Sequence, residues 1–127
     1  MRREFFFGLI VLGLCLAGCS GASSPSGVVK EFYKYAAAGR VNDAFELLSK
    51  EGQELLKQNA GGTAALAELT KEINDKGGIK AIEILNEEII GDTATVKFVI
   101  RFGNGSTEQE DEKPIKEGGK WKLSVSK

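Results

Sequence analysis

The sequence predicts an α+β domain in which N-terminal helices pack on a C-terminal antiparallel four-stranded sheet. Three observations carry this. Apolar residues recur at helical spacing over 27–76. At Gly78 the apolar period changes from about four to two. Beyond it, Gly91-Asp92, Gly103-Asn104-Gly105 and Glu117-Gly118-Gly119 separate the extended runs as hairpin turns do. Helices followed by a meander collect on one face of the sheet.

The helical half divides at its breakers. Ser26 is suited to cap a helix beginning near Gly27. Val29, Phe32, Tyr33, Ala36 and Ala37 then fall on one helical face, and Gly39 stops the run. Val41, Ala44, Phe45 and Leu48 repeat the spacing in VNDAFELLS. Ser49 caps a short third helix through Leu55 and Leu56, which Ala60-Gly61-Gly62 ends. Thr63 opens a fourth, TAALAELTKEINDK, with Leu66, Leu69 and Ile73 inward and Gly77-Gly78 as its stop.

The sheet half is read by alternation. Residues 79–90 form an isoleucine-rich strand, with Ile82 and Ile84 on one face and Leu85 and Ile89 on the other. A bulge or twist near Asn86 explains the broken pattern. TATVKFVIRF alternates cleanly, with Ala94, Val96, Phe98, Ile100 and Phe102 on one side and Thr95, Lys97, Val99 and Arg101 on the other. A polar strand over 106–116 follows. Pro114 lacks a donor and implies a bulge or an edge there. The last strand, KWKLSVS, turns Trp121, Leu123 and Val125 inward.

The first 18 residues are of another kind. Arg2 and Arg3 precede an apolar run over 5–16, too short for a spanning helix of ~20 residues. A basic start, a short apolar middle and small residues at the end make an export signal. Leu16-Ala17-Gly18-Cys19 resembles the lipobox of bacterial lipoproteins, which implies cleavage before Cys19 and lipidation of its thiol. Two acyl chains suffice for stable anchoring. Cys15 leaves with the signal, so the mature domain has no thiol for catalysis, metal binding or a disulfide. Residues 19–26 form a lipidated tether; the eight-residue Ser/Gly run from Ser20 to Gly27, SGASSPSG, averages ~16 Å end to end and reaches at most ~27 Å. The domain of 27–127 therefore sits close to its membrane. Ser20 after the cysteine places it on the periplasmic side of the outer membrane if the cell is Gram-negative.

Charge and composition narrow the function. The chain carries 17 basic and 18 acidic residues; without Arg2, Arg3 and Glu4 these become 15 and 17, a net charge of −2. That balance gives no footprint for nucleic acid and no polybasic membrane patch. Histidine is absent, so the commonest general base and transition-metal ligand are missing.

GVVKEFYKYAAAGRVNDAFELLS, the Gly-Gly break, IEIL, ATVKFVIRF and the terminal GGKWKLSVS together resemble small bacterial lipoproteins of a domain-of-unknown-function family within the nuclear transport factor 2-like superfamily. The resemblance covers essentially the whole mature domain. Phe32, the 39–48 segment and Gly119-Lys120-Trp121-Lys122 are its most specific pieces. It implies a curved sheet closing a cone over the helices, and it brings no catalytic motif. The superfamily contains isomerase-like enzymes, binding domains and scaffolds, so function has to come from the site.

In such a cone Tyr33, Phe45, Phe98, Phe102 and Trp121 project between helices and sheet, either lining a pocket for an apolar ligand or filling the core. An isomerase-like enzyme, the alternative, needs a carboxylate base and a hydroxyl donor in the pocket. Tyr33 and Tyr35 offer the hydroxyl, and Glu83 and Glu87 the carboxylate if the first strand turns them inward. The run Glu108-Gln109-Glu110-Asp111-Glu112 lacks the ordered ligand spacing and Gly of a calcium loop. It reads as a solvated hairpin that blocks edge pairing. The expectation is a membrane-anchored binding domain for an apolar small molecule or an envelope protein, without catalysis, cofactor or metal; self-association into a homodimer stays open.

Overall fold

A computed structural model of the chain describes residues 24–59 and 61–125. The signal segment and Cys19 lie outside the described residues. Four helices precede five strand segments. Helix α1 (Pro25–Ala37) starts two residues earlier than its sequence suggests. Ser24, not Ser26, is the N-cap: its Oγ accepts from the Gly27 amide at 3.0 Å. Pro25 follows at the first helical position, where a missing N–H costs nothing. Val28, Val29, Phe32, Tyr33 and Ala36 form the buried face. Gly39, at φ 78°, lets the chain leave the helix in the left-handed region.

Helix α2 (Val41–Glu46) buries Ala44. Ser49 then caps α3 (Lys50–Asn59), accepting from the Gly52 amide at 3.0 Å. The Glu117 carboxylate also accepts from the Lys50 amide, so the positive helix end meets a negative charge. Thr63 stands at the N-cap of α4 (Ala64–Asp75) but makes no side-chain cap bond. Instead Thr70 Oγ1, in mid-helix, donates to Ala36 O at 2.7 Å and ties α4 to the end of α1.

The strands are β1 (Ile79–Ile90), β2 (Thr93–Phe102), β3 (Thr107–Glu112), β4 (Ile115–Glu117) and β5 (Lys120–Lys122). β1 pairs antiparallel with β2, with a register shift between Ile84 and Asn86, where the sequence pattern breaks. This shift returns Glu87 and Ile89 to the face of Ile82 and Ile84: Glu87 pairs with Val96 and Ile89 with Ala94. The third of the four expected strands is cut in two at Lys113-Pro114. Both pieces, β3 and β4, lie along the same edge of β2, and Pro114 O accepts from the Ala94 amide at 3.0 Å between them. Proline cannot donate to the ladder but can still accept from it.

The core lies between α1 and the inner face of β2. Ala94, Val96, Phe98, Ile100 and Phe102 are all buried, as their alternation requires. Each large side chain withdrawn there contributes roughly 1.5–3 kcal/mol. Trp121 and Leu123 close the other end. The last strand is short, and Leu123 continues it by exchanging backbone bonds with Leu47 and Ser49.

Candidate functional site

The end of α4 and the β2–β3 hairpin are locked together by two glycines. The Gly103 amide donates to Gly78 O and the Asn104 amide to Lys76 O, each at 2.9 Å. A Cβ on Gly103 would lie 2.1 Å from Gly77 O, so only a bare backbone fits. This contact sets Lys76 above β2, with its Nζ 4.8 Å from the centroid of the Phe102 ring. The same ammonium is bonded to Glu108 Oε2, which holds Lys76 above the usual lysine range.

Next to this lock a cleft of about 180 Å³ opens between α4, α1 and the two strands. Leu69, Ile73, Ile100, Phe102 and Tyr33 supply its apolar walls. Glu72, Lys76, Glu108 and Glu110 supply its charge. At ~30 Å³ per water, the space suits a small organic group rather than a drug-sized ligand.

Glu108, Glu110 and Glu112 come to the inner side by strand geometry. They alternate with the exposed Thr107, Gln109 and Asp111, and all three are half-buried. They face the same way as Ile100, Phe98 and Val96, their partners in β2. Tyr33 stands over the row. Its ring meets Phe32 edge-on at 5.2 Å and Phe98 at 5.6 Å, and its hydroxyl makes a long 3.5 Å contact to Glu112 Oε2. Burial and the neighbouring carboxylates, Glu112 first, push the Tyr33 hydroxyl well above the ordinary tyrosine range. Burial, then the charge of Glu110, pushes Glu112 up to about 7, against the opposing pull of the Tyr33 contact. Glu112 does not line the cleft; it borders a second, more open groove with Phe32, Leu48 and Leu123, and Glu110 borders both spaces.

Of the five aromatic candidates, Tyr33 and Phe102 line the cleft. Phe98 lies fully buried beneath Tyr33. Phe45 is half-buried on α2, and Trp121 is buried under Lys116, whose Nζ is 5.6 Å from its ring; neither lines the cleft. The two carboxylates considered as bases are engaged elsewhere. Glu83 faces outward and pairs with Arg101 at 3.2 Å. Glu87 does turn inward, but its Oε2 accepts from Ser26 N at 2.8 Å and Ser26 Oγ at 2.6 Å, at the start of α1. Tyr35 carries the Arg40 guanidinium over its ring at 4.8 Å. Sequence reasoning missed Glu72, Lys76, Glu108 and Glu110. The signal for two of them was present: glutamates at 108, 110 and 112 have the period of one strand face. Among the described residues no cluster of His, Cys, Asp or Glu could hold a metal ion, and no helix is long and apolar enough to cross a membrane.

The family model described as Domain of unknown function (DUF4878) matches residues 18–124. A Campylobacter jejuni protein described as a candidate NTF2-like transpeptidase has a similar structure, with a TM-score of 0.67 at 21% identity, covering 80% of this chain and 98% of that one. A SEC-C motif-containing protein from Rhodopseudomonas palustris superposes with a TM-score of 0.61 at 21% identity, covering 82% and 77% of the two chains. At that identity the likeness concerns the fold, which is that of the nuclear transport factor 2-like cone. No curated protein matches the chain.

Proposed function

Since the chain belongs to the DUF4878 family and has a nuclear transport factor 2-like fold, we propose that it is a membrane-tethered binding domain whose cleft holds a small ligand. The observation that carries this reading is the cleft itself. Its apolar walls from Tyr33, Ile100 and Phe102 receive an apolar body. Glu72, Glu108 and Glu110 face a single cation, Lys76, which Glu108 already engages. A ligand with an apolar body and one amine or other donor group fits both halves. In this reading Cys19 is the lipidated anchor in the cell envelope.

The test is a titration of the domain with hydrophobic amines and their isosteric alcohols and acids, followed by chemical shifts. Amines are expected to move signals of Tyr33 and Phe102 and to bind more weakly as salt rises, because the rim is charged. Glu110→Gln should reduce the preference for amine over alcohol. Shift changes confined to the outer face around Lys97 and Arg101 would replace the ligand by a protein partner. The anchor is tested separately: Cys19→Ala should abolish uptake of labelled fatty acid and leave an unprocessed precursor.

The enzyme reading is favoured by one observation, the contact between Tyr33 and Glu112, whose carboxyl is pushed up to about 7. A base and a donor are both there. They point at each other, however, and Glu112 does not line the cleft. Turnover of any substrate that Glu112→Gln abolishes would make this the better account.

A further inference from the structure

Leu85, Ile89 and Ile90 are the exposed large apolar side chains of the described residues, at 50%, 51% and 72% exposure. All three lie in the second half of β1, at or beyond its bulge, and Ile89-Ile90 run directly into the Gly91-Asp92 turn. The bulge sets how they are disposed. Ile89 is opposite the buried Ala94 and Ile90 opposite the exposed Thr93, so the two side chains leave the hairpin on opposite faces. That makes an apolar wedge at the hairpin end rather than an apolar face. A flat protein surface would cover one side of it; a fluid lipid surface can take both.

The wedge lies beside the entry of the tether. Glu87, two residues before Ile89, binds the backbone and hydroxyl of Ser26 in the first turn of α1. Ile89 and Ile90 therefore lie within ~10 Å, along the strand, of the residue whose side chain holds that turn. Only five residue steps separate Cys19 from Ser24, at most ~18 Å of chain.

We propose that the end of the β1–β2 hairpin, with Ile89 and Ile90 flanking the turn and Leu85 behind them, seats in the lipid surface of the membrane that holds the tether. This rests on the reading of Cys19 as the anchor. It gives the domain a fixed orientation. The opposite end of β2, where Phe102 and Lys76 border the cleft, faces away from the bilayer by the length of a ten-residue strand, ~33 Å.

The test uses the full chain, isolated from membranes and reconstituted in phosphatidylcholine vesicles. An environment-sensitive thiol dye is placed at Ile90→Cys or at Asn104→Cys in the far hairpin, with the parent chain as the blank. Expected is an unlabelled parent, a blue-shifted dye at position 90 quenched several-fold more by lipid-borne quenchers than by aqueous ones, and the reverse at position 104. An unlabelled parent with position 90 as open to aqueous quencher as position 104 would overturn the seating while leaving the anchor intact. Dye uptake at Cys19 in the parent would overturn the anchor and the seating with it. A dye at position 90 that lipid quenchers do not reach, but that self-quenches as protein density rises, would assign the wedge to a second copy and overturn the proposal.

Discussion

Strands β2 and β3 are neighbours with the same pleat and the same inner face, yet they do opposite things. β2 turns Ala94, Val96, Phe98, Ile100 and Phe102 inward, and all are buried. β3 turns Glu108, Glu110 and Glu112 to the same side, and they are half-buried. In register, Phe98 is paired with Glu110 and Ile100 with Glu108. One strand lies under the helices and becomes core. The next lies at the edge of that cover, and its side chains form a charged wall that water still reaches. The boundary between core and candidate site thus runs between two hydrogen-bonded strands.

The comparison breaks most visibly by truncating one member of each row. Phe98→Ala should cost ~3–5 kcal/mol in chemical denaturation, because it empties a fully buried site beneath Tyr33. Trp121→Ala should cost a similar amount, as it too is buried. Glu110→Gln, one strand away from Phe98, should shift the midpoint little, with an effect of about 0.5 kcal/mol or less, as befits a partly solvated position. If Glu110→Gln cost as much as Phe98→Ala, the carboxylate row would belong to the core.

How much of this was legible follows from the same contrast. β2 could be read completely, since five alternating apolar residues between two turn signals leave one face to bury. The bulge near Asn86 was readable as a break in alternation, but its consequence was not: the sequence groups Ile89 with Leu85, whereas the register shift returns Ile89 to the face of Ile84. The start of α1 was misplaced by two residues, although a local signal was present: Pro25 is suited to the first helical position, which makes Ser24 the cap and leaves Ser26 inside the first turn. Within the site, Tyr33 and Phe102 were legible because each sits on an apolar face. Glu108 and Glu110 were read as solvated. Their spacing showed that they share a face, but not that the face turns toward α4, because what covers a strand is a tertiary fact.

The second prediction sharpens the lock that holds the two strands against α4. Gly103→Ala places a methyl 2.1 Å from Gly77 O, with backbone on both sides and no flexible side chain to move. The strain should cost about 1–3 kcal/mol. Relief would come from parting the α4 end from the hairpin, which also separates Lys76 from Glu108. The expected readout is a lowered thermal midpoint together with shifted Lys76 and Phe102 signals. An unchanged midpoint would mean that the two turns do not touch in solution.

The last prediction concerns Glu112, the member of the acidic row in contact with the Tyr33 hydroxyl. Its carboxyl is held at about 7 by burial and by Glu110, above the value it has in an unfolded chain. The folded state therefore binds the proton more tightly. Below about pH 4.5 Glu112 is protonated in both states and the fold carries no penalty from it. Between about pH 4.5 and 7 the unfolded chain gives up this proton first, so stability falls as pH rises; above about 7 the loss is complete. Each unit of difference is worth about 1.4 kcal/mol at most, and water reaching a half-buried group reduces the total to on the order of 2 kcal/mol. Glu112→Gln keeps the shape without the charge. It should match the parent near pH 4.5 and exceed it at pH 8, with the gap opening across the interval between. Denaturation midpoints of the two chains over that range provide the measurement. Parallel curves would show that Glu112 is fully solvated, and would remove the proton that any Tyr33–Glu112 chemistry requires.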